Sequence, residues 1–139
     1  MGVTLRYLND GRGVMAAASG EVTGDELIGA VRQVNAFAAN IKAICYTFVD
    51  FEAVTAISIS IADLAKAAEC AIEAAHLGNQ DRIVAIVASN EFAYRLATIY
   101  MAFVEQTGWE TWAFRHRVEA ASWLRSRAAV KHGLIVEVE

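Results

Sequence analysis

Two short runs, residues 43–49 (AICYTFV) and 82–88 (RIVAIVA), carry almost nothing but apolar side chains and are rich in β-formers. A strand wetted on one face alternates apolar with polar residues; a strand covered on both faces shows no such alternation. These runs therefore belong to the middle of a sheet with other elements packed on both sides. The segments around them supply helices, because apolar residues recur there at helical spacing behind residues suited to cap a helix start. Short buried strands alternating with helices form a mostly parallel sheet, and 139 residues suit a single α/β domain.

The flanking segments complete the order. Val3, Leu5 and Tyr7 alternate with Thr4 and Arg6, and Asn9-Asp10-Gly11 offers a turn, so the chain opens as a hairpin whose second strand covers residues 13–20. Thr23 and Glu26 match a capping box, and Leu27, Ile28, Val31, Val34 and Phe37 form one helical stripe that Asn40 can stop. The strand over 43–49 ends at Asp50, followed by a loop in which Ser58 and Ser60 alternate with Ile57, Ile59 and Ile61. Ser60 caps a second helix with Asp63 in its first turn, Leu64, Ala68, Ala71, Ile72 and Ala75 on its inner face, and Gly78 at its end. After the strand 82–88, Ser89 or Asn90 caps a third helix that runs toward Gly108. A strand over 111–117 places Trp112 and Phe114 on one face with His116. A fourth helix over 118–129 turns Ala121 and Leu124 inward, and residues 134–138 offer a last edge strand. The expected fold is α/β, with a mixed, mostly parallel sheet and about four helices.

Composition narrows the function. Hydrophobic residues make up 56% of the chain and charged ones 20%, far from the disordered range. Much of the apolar excess is alanine, which points to closely packed helices, a subunit interface or an apolar pocket. The net charge is −4 and no Lys/Arg cluster occurs, so nucleic acid is not an expected partner. No apolar run reaches the roughly 18 residues of a membrane span, and the first residues lack the apolar core of a signal peptide. The cytoplasm is the expected location, with Cys45 and Cys70 as reduced, packed thiols.

The stretch over residues 49–67, VDFEAVTAISISIADLAKA, resembles the strand–loop–helix signature of STAS domains (sulfate transporter and anti-sigma factor antagonist). The stretch over 112–124, WAFRHRVEAASWL, is similar to the ending of small bacterial stand-alone STAS-like proteins. With the order of elements, the resemblance covers nearly all of residues 1–128 and implies a SpoIIAA-like fold. It also implies a module that works by binding. Anti-sigma factor antagonists carry Asp-Ser-Ser-Gly after the strand, with the first serine phosphorylated. Aligned without gaps from Val49, those positions hold Ser58, Ile59, Ser60 and Ile61. An isoleucine cannot accept phosphate, so the usual switch is expected to be lost, unless a one-residue slip gives the role to Ser58 or Ser60.

Several residues qualify as candidates for a site. Ser60 at a helix start could hold a phosphate among free backbone N–H groups, or could simply cap the helix. Asp50 closes a predicted parallel strand, where open α/β sheets place ligands, with Glu52 and Ser58 near it; the same carboxylate could instead bond the following loop. Asn90 and Glu91 begin the next helix at the same end of the sheet. His76, His116 and His132 are scattered, with no metal-ligand spacing, and Gly11-Arg12-Gly13 lacks the spacing of a phosphate-binding loop. The third helix is apolar over most of its surface, so it must bury two faces. Tyr94, Tyr100 and Met101, with nearby Trp109, either complete the core or face a partner subunit or a lipid-sized pocket.

The expected function is a non-enzymatic STAS-like regulatory or interaction module without cofactor or metal, homodimeric, binding a protein partner or a small apolar ligand. The alternative is a small enzyme or ligand-binding protein with a polar site at the carboxyl ends of the strands, built from Asp50, Glu52, Ser58, Ser60, Asn90 and Glu91.

Overall fold

Strands β1 (Gly2–Leu8) and β2 (Gly13–Thr23) form the expected antiparallel hairpin, in a computed structural model that describes residues 2–38, 44–77 and 81–138. Asn9 and Asp10 make the turn at φ values of 52° and 55°, a left-handed conformation that short polar side chains tolerate. There follow α1 (Gly24–Ala38), β3 (Tyr46–Ser58), α2 (Ile61–His76), β4 (Ile83–Val87), α3 (Glu91–Phe103), β5 (Glu110–Phe114) and α4 (Arg117–His132). The capping box at Thr23 is formed: Glu26 N donates to Thr23 Oγ1 at 3.2 Å, and Thr23 N to Glu26 Oε1 at 2.9 Å. The predicted stops at Asn40 and Gly78, and Ala43 at the predicted strand start, lie outside the described residues.

The sheet runs β1-β2-β3-β4-β5, antiparallel at the hairpin and parallel thereafter. Strands added in sequence order, through crossovers of one hand, leave their connecting helices on one face. Here α1, α2 and α3 share that face, and α4 covers the other. Under α4, Leu124 and Phe48 are fully buried with Tyr46, Ile83, Ala85 and Val87.

The structure corrects the sequence reading at several points. β3 does not end at Asp50 but continues to Ser58, so the expected loop is strand. Beyond Asp50, where β4 stops pairing, β2 continues to pair with β3 as far as Thr23 with Ser58, through two register shifts. Those shifts break strict alternation along Phe51, Val54 and Ile57, which hides the strand from a period-two reading. α3 ends at Phe103 in a short 3-10 turn over Glu105–Thr107, and Gly108 takes a left-handed φ of 78°. β5 ends at Phe114, so His116 is the residue before α4 rather than part of a strand, and His132 lies in the last turn of α4.

Residues 134–138 form no strand, although Leu134, Val136 and Val138 are buried against the α4-side core. Asn9 holds this tail instead: its Nδ2 donates to Ile135 O at 2.8 Å, and its backbone N to Glu137 Oε1 at 2.7 Å. The Tyr46 hydroxyl donates to Asn9 Oδ1. Burial pushes that phenol up to about 12.

Glu110 ties β5 to α4 through Arg127 Nε at 2.7 Å and Lys131 Nζ at 2.6 Å. The hydrogen bond from Arg127, with help from Lys131, holds its carboxyl down at about 2. A carboxylate depressed on folding contributes stability above its unfolded pKa, and that contribution is lost as pH falls through its folded pKa. Acid titration is therefore expected to remove this contribution between the ordinary glutamate range and about 2. Glu110→Gln should cost about 1 kcal/mol at neutral pH after discounting for solvent screening, and should flatten that part of the stability–pH curve. Urea denaturation across pH checks both.

Candidate functional site

The alanine-rich helices do not fill the face they cover. α2 presents Ala67, Ala68, Ala71 and Ala75 inward, packs on α1 and α3, and stands off from the strands. Between them and the sheet lies a cavity of about 130 Å³. Its small-residue walls explain it: Ala16 from β2, Ala30 from α1, Ala71 from α2, and Ala93 and Ala97 from α3. Val49, Phe51, Val84 and Ile86 form the floor. Left empty, such a void forgoes roughly 3 kcal/mol at about 24 cal/mol per Å³. Apolar walls around a space of this size take up small apolar molecules.

The cavity has one polar end. Arg82, just before β4, is only 5% exposed and lines it together with Thr47 of β3. Among the described residues, neither Arg82 Nε nor Thr47 Oγ1 has a hydrogen-bond partner, and the same holds for the buried Thr111 Oγ1 of β5. The sheet register brings these atoms together. Val84 pairs with Thr47 on one side and Thr111 on the other, so the two threonines flank it across three adjacent strands. Arg82 sits on the same face of β4, one side-chain repeat toward its start. The Arg82 guanidinium lies 4.1 Å from the centre of the Trp109 ring. Burial lowers its pKa to about 10. Burial likewise pushes the Tyr100 phenol, also in the wall, up to about 12.

The six polar candidates read from the sequence lie outside the lining of this cavity. Asp50 points to the opposite face of the sheet, where it pairs with Arg117 of α4 and accepts the Glu52 N–H at 2.9 Å. Ser58 is the exposed last residue of β3, and Glu52 is exposed. Ser60 caps α2 in a full box: its Oγ accepts Asp63 N at 3.1 Å, and its N donates to Asp63 Oδ2 at 2.9 Å. Asn90 caps α3, accepting Phe92 N at 2.8 Å and Ala93 N at 3.1 Å, and Glu91 pairs at the surface with Arg115 at 2.9 Å. Of these six, only Asn90 lines a second pocket, of about 190 Å³, at the carboxyl end of the sheet, beside Val54, Ile57 and Phe92. Ser60→Ala should cost about 1 kcal/mol of stability through the lost cap and leave ligand binding in the cavity unchanged, as denaturation and a binding titration can show.

The four aromatic and sulfur residues singled out around the third helix are half-buried. Tyr94 and Met101 lie against Val84, Ile86, Ala97 and Ala113, and Tyr100 and Trp109 line the cavity. The residues the sequence reading missed are Arg82, Thr47 and Thr111. The available signal was a lone arginine entering an otherwise apolar central strand, with a threonine inside each neighbouring strand.

Among the described residues, no three or more His, Cys, Asp and Glu side chains converge as a metal site would require, and no helix is long and apolar enough to cross a membrane. No family model matches the chain, and no curated protein sequence matches it. Among solved structures, it is similar to an uncharacterized protein of the DUF3478 family from Shewanella loihica PV-4, described as having a SpoIIAA-like fold. The TM-score is 0.55 at 17% identity, over 88% of this chain and 91% of that one. The chain has a SpoIIAA-like fold.

Proposed function

We propose that this protein is a non-enzymatic binding module that holds a small apolar ligand between its sheet and helices α1–α3. The observation that carries this reading is the alanine-walled cavity of about 130 Å³, whose lining is apolar apart from a few polar groups such as Arg82 and Thr47. Natural cores pack to near-crystalline density, so a void of this size inside a domain of 139 residues suits an occupant. Binding at such a site needs no reaction and no cofactor.

Toluene tests this directly. Because a ligand that binds only the folded state stabilises it by mass action, toluene should raise the melting temperature of the wild type saturably. Ala71→Leu and Ala97→Leu each fill part of the void, and should fold with a melting temperature that toluene no longer moves. A wild type indifferent to toluene would overturn the reading, as would an equal response in both filled variants.

A second reading concerns partners. Ile61 and Phe92, each 53% exposed, begin α2 and α3 at the end of the sheet where the β2–β3 ribbon projects. This apolar surface is where a homodimer or a regulatory protein would dock. Ile61→Glu with Phe92→Glu should convert a dimer to monomers in sedimentation; a monomeric wild type removes the homodimer.

A further inference from the structure

We infer that the ligand is an amphiphile with a single carboxylate, its apolar body lying along the alanine-lined cavity and its carboxylate received by Arg82 and Thr47. The inference rests on the reading that the cavity takes a ligand at all. It adds which ligand, and which way round.

The argument begins with what burial demands. A polar atom shut away from water without a partner costs free energy, and native structures keep few of them. Here three buried side-chain atoms without a partner among the described residues, Thr47 Oγ1, Arg82 Nε and Thr111 Oγ1, lie on one face of three neighbouring strands, close to the strand starts. Arg82 and Thr47 both line the cavity. Among the described residues, no carboxylate pairs with Arg82; the described ion pairs of the molecule use Arg115, Arg117, Arg127 and Lys131. Its aromatic neighbour Trp109 offers the guanidinium a ring face but no anion.

An entering group must therefore supply acceptors to a guanidinium and to a hydroxyl, carry negative charge into an apolar wall, and be small. A carboxylate does all three. Its two oxygens match the planar fork of arginine, and in a site of low dielectric the pair is stronger than any neutral contact. Most of the remaining lining then selects the rest of the ligand: Val49, Val84, Ile86 and Leu96 offer no polar partner, and the amide of Asn35 already donates to Cys70 O at 2.9 Å. An alcohol or an ester would fill the same space and satisfy the hydroxyl, but would leave the arginine charge uncompensated. The lowered pKa of Arg82 agrees, since desolvation without a nearby anion weakens the charged form.

Hexanoate and hexan-1-ol, equal in chain length, separate the two levels of the claim when titrated calorimetrically into the full chain at neutral pH. Hexanoate should bind at one site about tenfold or more tighter than hexan-1-ol. Arg82→Met keeps the side-chain bulk without the charge; it should lose that preference and still bind hexan-1-ol. Arg82→Lys should retain part of it. Should Arg82→Met fail to fold, Thr47→Val, which removes only the hydroxyl, should weaken hexanoate more than hexan-1-ol. Equal affinity of the wild type for the two ligands overturns the carboxylate assignment and leaves the cavity reading standing, as does an undiminished preference in Arg82→Met or Thr47→Val. A wild type that binds neither ligand overturns the carboxylate assignment, and one that is also indifferent to toluene defeats the cavity reading as well.

Discussion

Leu124→Ala is expected to destabilise the protein by about 3–5 kcal/mol, the upper part of the range for a buried leucine truncated to alanine. Leu124 is fully buried at the centre of α4's inner face, among Phe48, Ala85, Ala121 and Ala128. Those neighbours are themselves short or held by the sheet, so they cannot collapse into the space that the lost side chain leaves. A domain of this size has a total stability of about 5–15 kcal/mol, so the variant should sit near the edge of folding. Urea denaturation should show the midpoint falling with the slope unchanged. Val130→Ala, on the same helix but 73% exposed, should stay within about 0.5 kcal/mol of wild type.

The second large effect is expected at Gly13, where β2 begins. A Cβ built on Gly13 would collide with the ring of Tyr46, its partner across the parallel β2–β3 pair. Tyr46 cannot give way: it is fully buried, and its hydroxyl is tied to Asn9, the residue that also holds the C-terminal tail. Gly13→Ala should therefore cost about 2–3 kcal/mol, as overpacking of a rigid site does. The mechanism makes a sharper demand. In a Tyr46→Leu background the ring is gone, and the same alanine should cost much less, so a double-mutant cycle should return strong coupling between the two positions. Additive effects would mean that the glycine is needed for its backbone alone.

The parts of the fold that sequence reveals are those decided within a few residues. Thr23 with Glu26, and Ser60 with Asp63, are local hydrogen-bond arrangements that the residue types prescribe, and both are formed. The apolar runs over 43–49 and 82–88 could only be central strands. What stayed hidden depends on distant partners. β3 is long because β2 continues to pair with it beyond the end of β4, with register shifts that erase the alternation. Residues 134–138 alternate like an edge strand, yet their inward side chains pack on the α4-side core while Asn9 takes their backbone bonds. A period-two pattern records which side chains are buried, not which backbone they pair with.

The site was legible only in outline. The alanine excess did imply a pocket among its possible causes, but alanines from β2, α1, α2 and α3 must meet before there is a cavity, and no single element shows that. Asp50, Ser58, Ser60 and Asn90 drew notice because they stand at strand and helix ends, where ligands often bind. The structure gives Asp50 to Arg117 and puts Ser60 and Asn90 to work as caps. Arg82 drew none, because a charged residue at the start of a strand is ordinary until its burial is known. Its burial in the cavity wall puts the polar end of that cavity at the starts of the strands.

Native mass spectrometry of the protein purified from its natural source, followed by the same sample under denaturing conditions, tests the central claim most directly. A ligand-holding cavity predicts a native mass above that of the polypeptide, with the excess lost on denaturation and identifiable as one small carboxylic acid. A native mass equal to that of the bare chain, unchanged after incubation with hexanoate, would contradict it.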